Sequence, residues 1–302
     1  MIRATVQSAT HLDSLSSASG VVYANSTYYV VGDDNPWLYR LNENLESAQW
    51  IRLSVTDSLV DGRTPKSLKA DFECMEKLII DGHEYLIFLS SGSMEITRDT
   101  ADIVDILTGK LVKKRNIRPL FQRIKETAGI TGEDEINIEG LAITREMVYL
   151  FHRGNISGNL VIAINTRHFY NYLTESGSSV PEFGLLPFSL PAYEGTTAGF
   201  SGACATPDEK YLVFTASMEK TVDVYHDGTI TGSYIGLIPL DEISAGTFYA
   251  TLMKKDGEIL PKKLEGVAVH DVTGNIAHLL VVADNDDGTS DLYEVELLLP
   301  EK

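Results

Sequence analysis

The segments "NIEGLAIT" (137–144) and "KLEGVAVH" (263–270) share one pattern: an acid, a glycine and a short apolar strand. Looser copies occur as "ASGVVYAN" (18–25), "DFECMEKL" (71–78) and "GFSGACAT" (199–206). Taking the residue before the small one as an anchor gives Ser19, Glu73, Glu139, Ser201 and Glu265. These repeats begin 54–66 residues apart, and the step across the chain ends is 56, so five units fill the whole length. A repeat of this period marks an array of supersecondary units rather than separate folds. Behind each anchor stands Gly20, Cys74, Gly140, Gly202 or Gly266, and then a short apolar strand. A second, strongly apolar strand follows a tight turn: "YYVVG", "YLIFLS", "VYLFH", "YLVFTAS" and "HLLVVAD". A third alternates with period two, as in "WLYRLN" and "DLYEVEL", and a more polar fourth closes the unit, as in "AQWIRLSV".

Four strands per unit around a closed ring predict an all-β chain, a single β-propeller domain over residues 1–302. Five blades fit the repeat, and six blades of about 50 residues are the alternative. The last unit lacks an outer strand, and "IRATVQSA" (2–9) has the alternation to supply it, joining the two ends of the chain. One segment, "RPLFQRIKETAG" (118–129), reads as a helix.

Bulk composition narrows the function classes. A net charge of −18 disfavours nucleic acid, because phosphate binding needs clustered Lys and Arg, and favours cations or basic ligands. The basic run "KLVKKRNIR" (110–118) reads as a solvated edge strand protected by lysines. No apolar run reaches the roughly 20 residues of a membrane span. The opening "MIRATVQSATHLDS" has no secretory signal, so the expected compartment is cytoplasmic, or periplasmic or secreted if a signal has been removed. Cys74 and Cys204 lie in apolar strands and read as buried free thiols.

In a propeller the first strand of each blade lies nearest the axis. Glu73, Glu139 and Glu265 should therefore converge on the channel mouth, with the hydroxyls of Ser19 and Ser201 beside them. Carboxylates that close require a raised pKa or a bound cation, and an all-oxygen ligand set suits Ca²⁺ or Mg²⁺. The other role open to each glutamate is accepting amide hydrogen bonds from the next blade, as a staple. A second ring is expected at the ends of the second strands: Asp33, Asp34, Ser90, His152, Arg153, Ser217, Asp284 and Asn285. Arg153 is the strong cation among them, able to hold an anionic ligand or to pair with Glu139. Asp284 or His152 would handle a proton in a hydrolytic reaction.

Several motifs fail on context. "GFSGA" lacks the last glycine of a nucleophile elbow and leads into a strand rather than a helix. "DNDDGTSD" (284–291) places Ala283 where a calcium loop needs its first Asp, and reads as a hairpin. No zinc spacing, Walker loop or dinucleotide fingerprint is present, and "NST" (25–27) and "NIS" (155–157) match glycosylation acceptors.

Together "INIEGLAIT", "KLEGVAVH", "GFSGACATPDEKYLVFTAS" and "SGVVYANSTYYVVGDDNPWLYRLN" resemble the phytase-like propellers (esterase-like activity of phytase), in particular their uncharacterised bacterial branch. That resemblance implies an acidic channel mouth, calcium dependence and a phosphoester or ester hydrolase. The chain departs from it in lacking the many-aspartate calcium clusters of a β-propeller phytase. Two function classes follow. One is a binding propeller taking a cation or small ligand at the mouth; the other is a metal-dependent hydrolase. Neither the ligand nor the oligomeric state is written in the sequence.

Overall fold

The computed structural model describes residues 2–53, 58–131, 134–154, 156–220 and 229–300. It contains five four-stranded antiparallel sheets arranged as the blades of a propeller. Blade 1 runs through Ala18–Ala24, Thr27–Gly32, Trp37–Leu41 and Ser47–Arg52. Blade 2 comprises Phe72–Ile80, His83–Ser90, Thr100–Asp105 and Lys110–Asn116. Blade 3 follows with Ile138–Ile143, Met147–His152, Asn159–Asn165 and Phe183–Phe188. Blade 4 is built from Gly199–Ala205, Tyr211–Lys220, Thr229–Pro239 and Tyr249–Leu252. Blade 5 takes Lys263–Thr273, Ile276–Asp284 and Ser290–Leu298, and its outer strand is Arg3–Leu12 from the start of the chain. Five blades, rather than the alternative six, are therefore observed, with the ring closed by the N-terminal strand.

The apolar second strands are continuous rather than alternating because both faces of every blade are buried. In blade 2, Leu86 and Phe88 pack towards blade 1, whereas Ile87 and Leu89 pack towards blade 3. Five separate hydrophobic clusters result, one in each interface between neighbouring blades. The blade 2–3 cluster also takes in two helices. Helix α1 (Arg118–Ala128) is the expected one, with Pro119 in its first turn and Gly129 capping its end in the left-handed conformation. Helix α2 (Thr166–Thr174) was not foreseen; Asn165 caps it by accepting the His168 amide. The "KLVKKRN" segment is the outermost strand of blade 2, and "DNDDGTSD" is a hairpin turn with Asp286 and Gly288 at positive φ. Among the described residues no helix is long and apolar enough to cross a membrane. Asn25 lies in a turn and donates to Glu84, while Asn155 of the second acceptor motif is outside the described residues.

Candidate functional site

Every anchor shares one backbone feature. The pairing of first and second strands slips by a residue between Ala18 and Gly20, between Phe72 and Cys74, between Ile138 and Gly140, and between Phe200 and Gly202; in blade 5 it slips between Leu264 and Val267. Ser19, Glu73, Glu139, Ser201 and Glu265 are thus the extra residues of five β-bulges. A bulge breaks strict alternation and re-aims the side chain it carries. Immediately beyond it the inner strands meet at the axis. A Cβ on Gly20 would lie 2.9 Å from the Met75 amide nitrogen, and one on Gly202 would lie 2.0 Å from the Glu265 carbonyl oxygen. One on Gly266 would lie 2.8 Å from the Ser19 carbonyl oxygen. Neighbouring inner strands are therefore in backbone contact at this level.

The five anchors divide into two kinds. Ser19 donates to the Phe72 carbonyl, and Ser201 donates to the Leu264 carbonyl at 2.6 Å; each acceptor directly precedes the next anchor or lies one blade on at the same level. Ser217 and Ser233 extend the second contact, donating to the Leu264 and Lys262 carbonyls at 2.9 and 2.7 Å. Stapling between blades is therefore done by serines. Glu73, Glu139 and Glu265 instead form the floor of a cavity of about 860 Å³ at the mouth, walled by Asp33, Asp34, Trp37, Tyr39, Asp284 and the 59–66 loop.

A further ring lies two residues before the anchors: Ser17, Asp71, Asn137, Gly199 and Lys263. Asn137 donates to Glu139 Oε1 at 2.6 Å, and Lys263 Nζ lies 2.7 Å from Glu265 Oε1. Asp71 holds Lys69 Nζ at 2.7 Å and Arg98 at 3.1 Å, and accepts from Ser91. Lys69 also pairs with Asp33, so its ammonium bridges two carboxylates. Oxygens of Asp33, Asp71 and Glu73 lie within 4.8 Å of one another, and Asp33 Oδ1 is buried without a hydrogen-bond partner. Asp34 is held by Arg63 Nε at 2.7 Å.

Burial and mutual repulsion dominate the electrostatics. Burial, reinforced by Asp71, Glu139 and Asp33, pushes the Glu73 carboxyl well above the usual range. For Glu265, burial together with Glu139 and Asp284 outweighs Lys263 and brings the carboxyl to about 8. Asp284, buried and facing Asp33, rises to about 7. Asp71 goes the other way: burial opposes its charge, but Lys69 and Arg98 outweigh burial and lower it. Both lysines are disfavoured by burial, yet the surrounding carboxylates hold Lys69 and Lys263 above the ordinary lysine value. The mouth thus mixes ionised and protonatable carboxyls around two fixed ammonium groups.

The structure brings together Glu73, Glu139, Glu265, Asp33, Asp34 and Asp284 in the mouth cavity. It places the other expected residues elsewhere. Ser19 and Ser201 are spent on staples. Ser90 is fully buried and faces Thr100 within blade 2, and it is the neighbouring Ser91 that reaches Asp71. His152 is fully buried between Asn137 and Ser157, which locks the ring, and burial lowers its pKa, keeping it neutral. Arg153 pairs with Glu219 at 3.1 Å rather than with Glu139. Asn285 accepts from Lys262 and donates to Thr289. These polar ends of the second strands are thus taken up by local partners. Lys69, Asp71 and Lys263 went unrecognised in the sequence, although the phase two residues before each anchor marks the last two. Cys74 and Cys204 are free and buried, and burial raises both thiols.

Several solved structures are similar to this chain over most of its length. An exo-1,5-α-L-arabinanase from a bovine ruminal metagenomic library is 10% identical, with 95% of this chain and 94% of that chain covered and a TM-score of 0.51. The PQQ-bound aldose sugar dehydrogenase of Streptomyces coelicolor is 13% identical, with 98% of both chains covered and a TM-score of 0.50. Myxococcus xanthus glutaminyl cyclase is 13% identical over 99% of this chain and 97% of that chain, with a TM-score of 0.49. At these identities the first two likenesses speak for the fold alone. Comparison with curated proteins returned no match. Residues 14–297 match the Family of unknown function (DUF6929), and the chain belongs to that family.

Proposed function

We propose that the channel mouth is a ligand-binding site that takes a divalent cation, Ca²⁺ in the first place, at Asp33, Asp71 and Glu73. The observation that carries this reading is the convergence of carboxylate oxygens of Asp33, Asp71 and Glu73 within 4.8 Å, together with an Asp33 Oδ1 that is buried and without a hydrogen bond. A buried acceptor left unsatisfied is costly, and a hard cation with oxygen ligands satisfies it. Glu139, Glu265 and Asp284 face the same cavity and would hold the remainder of a small polar or cationic ligand. The Lys69 ammonium already bridges Asp33 and Asp71, so an incoming ion has to displace or share with it.

Thermal unfolding in EDTA and then in excess Ca²⁺ tests the reading. At a hundredfold excess over Kd the expected gain is about 2.7 kcal/mol, or roughly 5 °C in the midpoint. The Asp33→Asn and Glu73→Gln variants should lose that gain. A wild-type midpoint indifferent to both reagents removes the metal from the site.

A second reading, a metal-dependent esterase or phosphoesterase, is favoured by one feature: burial raises Asp284 to about 7, whereas Lys69 and Arg98 lower Asp71. Carboxyls pushed apart in this way supply a general acid and a base at neutral pH. It draws on the sequence resemblance to phytase-like propellers, whereas the family that matches carries no assigned activity. In it a bound metal would polarise the ester oxygen for attack by water, and Asp284 would protonate the departing alcohol. A panel of phosphoesters, carboxyl esters and lactones decides: turnover abolished by Asp284→Asn supports hydrolysis, and turnover indifferent to Asp284→Asn and Glu265→Gln removes these carboxyls from it.

A further inference from the structure

At the opposite end of the inner strands from the mouth lies a cavity of about 470 Å³, to which all five blades contribute, among them Val22, Glu76, Ile143, Cys204 and Ala268. It shares no lining residue with the mouth cavity. Counting three residues past each anchor gives Val22, Glu76, Ala142, Cys204 and Ala268. Four of these are small and apolar, and they are at most 4% exposed, as a position packed at the axis requires. Blade 2 breaks the ring with an acid. No packing demand of the repeat calls for a carboxyl at that phase.

Glu76 has amide partners but no counter-charge. Its Oε1 accepts the Lys77 amide at 2.7 Å, and the Ala205 amide of blade 4 also favours the ionised form, so the side chain reaches across the axis from blade 2. Among the described residues no lysine or arginine forms an ion pair with it; the Lys77 ammonium lies 3.8 Å from Glu84 instead. Arg145 and Glu209 are the other charged groups of the cavity, both at exposed positions, and the Arg145 amide donates to Glu209 at 2.8 Å. Burial and then Glu76 raise the Cys204 thiol, which stays neutral. Burial also outweighs the two amides and Lys77 and lifts the Glu76 carboxyl to about 8. A carboxylate in such surroundings is costly until a cation meets it. The residue is only partly covered, so a ligand reaches it from the cavity. Val22, Ile143, Ala268 and Val269 supply apolar wall around it. One buried charge among apolar walls matches a cation that carries a hydrocarbon body.

We infer that this cavity is a second binding site, distinct from the mouth, which takes a small primary ammonium compound, its ammonium on the Glu76 carboxylate and its short apolar body against the inner-strand walls. A metal ion is the poorer fit, because Glu76 alone supplies few of the roughly 6–8 oxygens that a hard cation such as Ca²⁺ takes. A neutral alcohol of the same shape fills the walls but leaves the carboxylate without its counter-charge.

Isothermal titration of the full chain with n-butylammonium and phenethylammonium, and with n-pentanol and 3-phenylpropanol as neutral counterparts, tests the assignment. At about pH 8 at least one amine is expected to bind saturably, with its neutral counterpart at least tenfold weaker. Glu76→Gln should lose at least tenfold in amine affinity, and Asp33→Asn at the mouth should lose none. Below about pH 8 the amine has to displace a proton from Glu76, so its affinity should fall, by up to about tenfold per pH unit. Titration in two buffers of different ionisation enthalpy reads that proton in the wild type itself: about one released per amine bound near pH 7, and none in Glu76→Gln. No saturable amine binding by the wild type, equal affinity for amine and alcohol, or amine affinity that does not fall below pH 8 overturns the assignment. So does binding that is lost in Asp33→Asn and kept in Glu76→Gln, which would place the amine at the mouth.

Discussion

Lys69 is the residue on which the chemistry of the mouth turns. Its ammonium does for Asp33 and Asp71 what a bound cation would do, and it is largely withdrawn from water, with its side chain 11% exposed. Replacing it by an isosteric apolar side chain leaves two buried carboxylates beside Glu73 with no counter-charge except Arg98 on Asp71. Breaking a buried pair from one side costs about 3–5 kcal/mol, because the remaining charge is stranded. Lys69→Met in EDTA should therefore unfold at a markedly lower denaturant concentration than wild type. Added Ca²⁺ should recover more stability in the variant than in wild type, since its competitor is gone; chemical denaturation with and without the ion measures both. The raised carboxyls give a separate expectation. Glu265 and Asp284 have folded-state values of about 8 and 7, above their ordinary values of 4.5 and 3.8. Between roughly pH 4 and 8 the folded chain thus holds protons that the unfolded chain has released, and stability must fall as pH rises through that window. Unfolding midpoints from pH 5 to 8.5 in EDTA should show this decline, and Asp284→Asn should flatten the part below about pH 7 while leaving the part that Glu265 contributes.

The inner strand is the element that joins fold and site, and its bulge is the device. The anchors were legible in the sequence because five copies of one opening stand in phase, and the small residues after them announce the crowding at the axis. What one strand's letters do not carry is the slip in pairing that frees Glu139 from the alternation of "NIEGLAIT". Nor do they carry which polar strand end finds a partner close by. His152 and Arg153 read as mouth residues because they follow an apolar core like the others, yet they are consumed by Asn137, Ser157 and Glu219. Lys69 precedes the strand altogether, and only the fold of the 59–71 segment brings it to Asp33. The tight axis has a testable cost. A methyl group at Gly202 would meet the Glu265 backbone oxygen, and backbone at the centre of two packed strands cannot rotate aside. Gly202→Ala should lose about 3 kcal/mol or more, at the upper end for overpacking. Gly184→Ala, in an outer strand with nothing within 4 Å of the new carbon, should be near neutral. Urea titration of the two variants reads the contrast.

At the scale of the molecule, stability is shared among five interfaces arranged in a ring, each inner strand packing against the next around the axis. A ring differs from a row in that no blade has an uncovered face, and here closure depends on one strand. Arg3–Leu12 pairs with Ser290–Leu298 from Arg3–Leu298 through to Leu12–Ser290, with a single slip between Val6 and Ser8. It also delivers Ile2, Ala4 and Val6 to the cluster between blades 4 and 5. Deleting residues 1–12 would expose the third strand of blade 5 as an unpaired edge, open to association with other chains. It would also uncover part of that cluster. The expected result is loss of a single cooperative thermal transition and a tendency to self-associate, read by calorimetry and by light scattering. The size of the loss in the deletion separates closure from mere surface, and a permutant controls for where the strand sits in the chain. Joining the chain end to residue 2 through a short flexible linker and opening it at Gly177, in an exposed turn, keeps every blade contact while making the closing strand internal. Surface alone predicts that the permutant behaves like wild type and the deletion loses only a few degrees. Closure as the organising interaction predicts that the permutant retains one sharp transition and that the deletion has none.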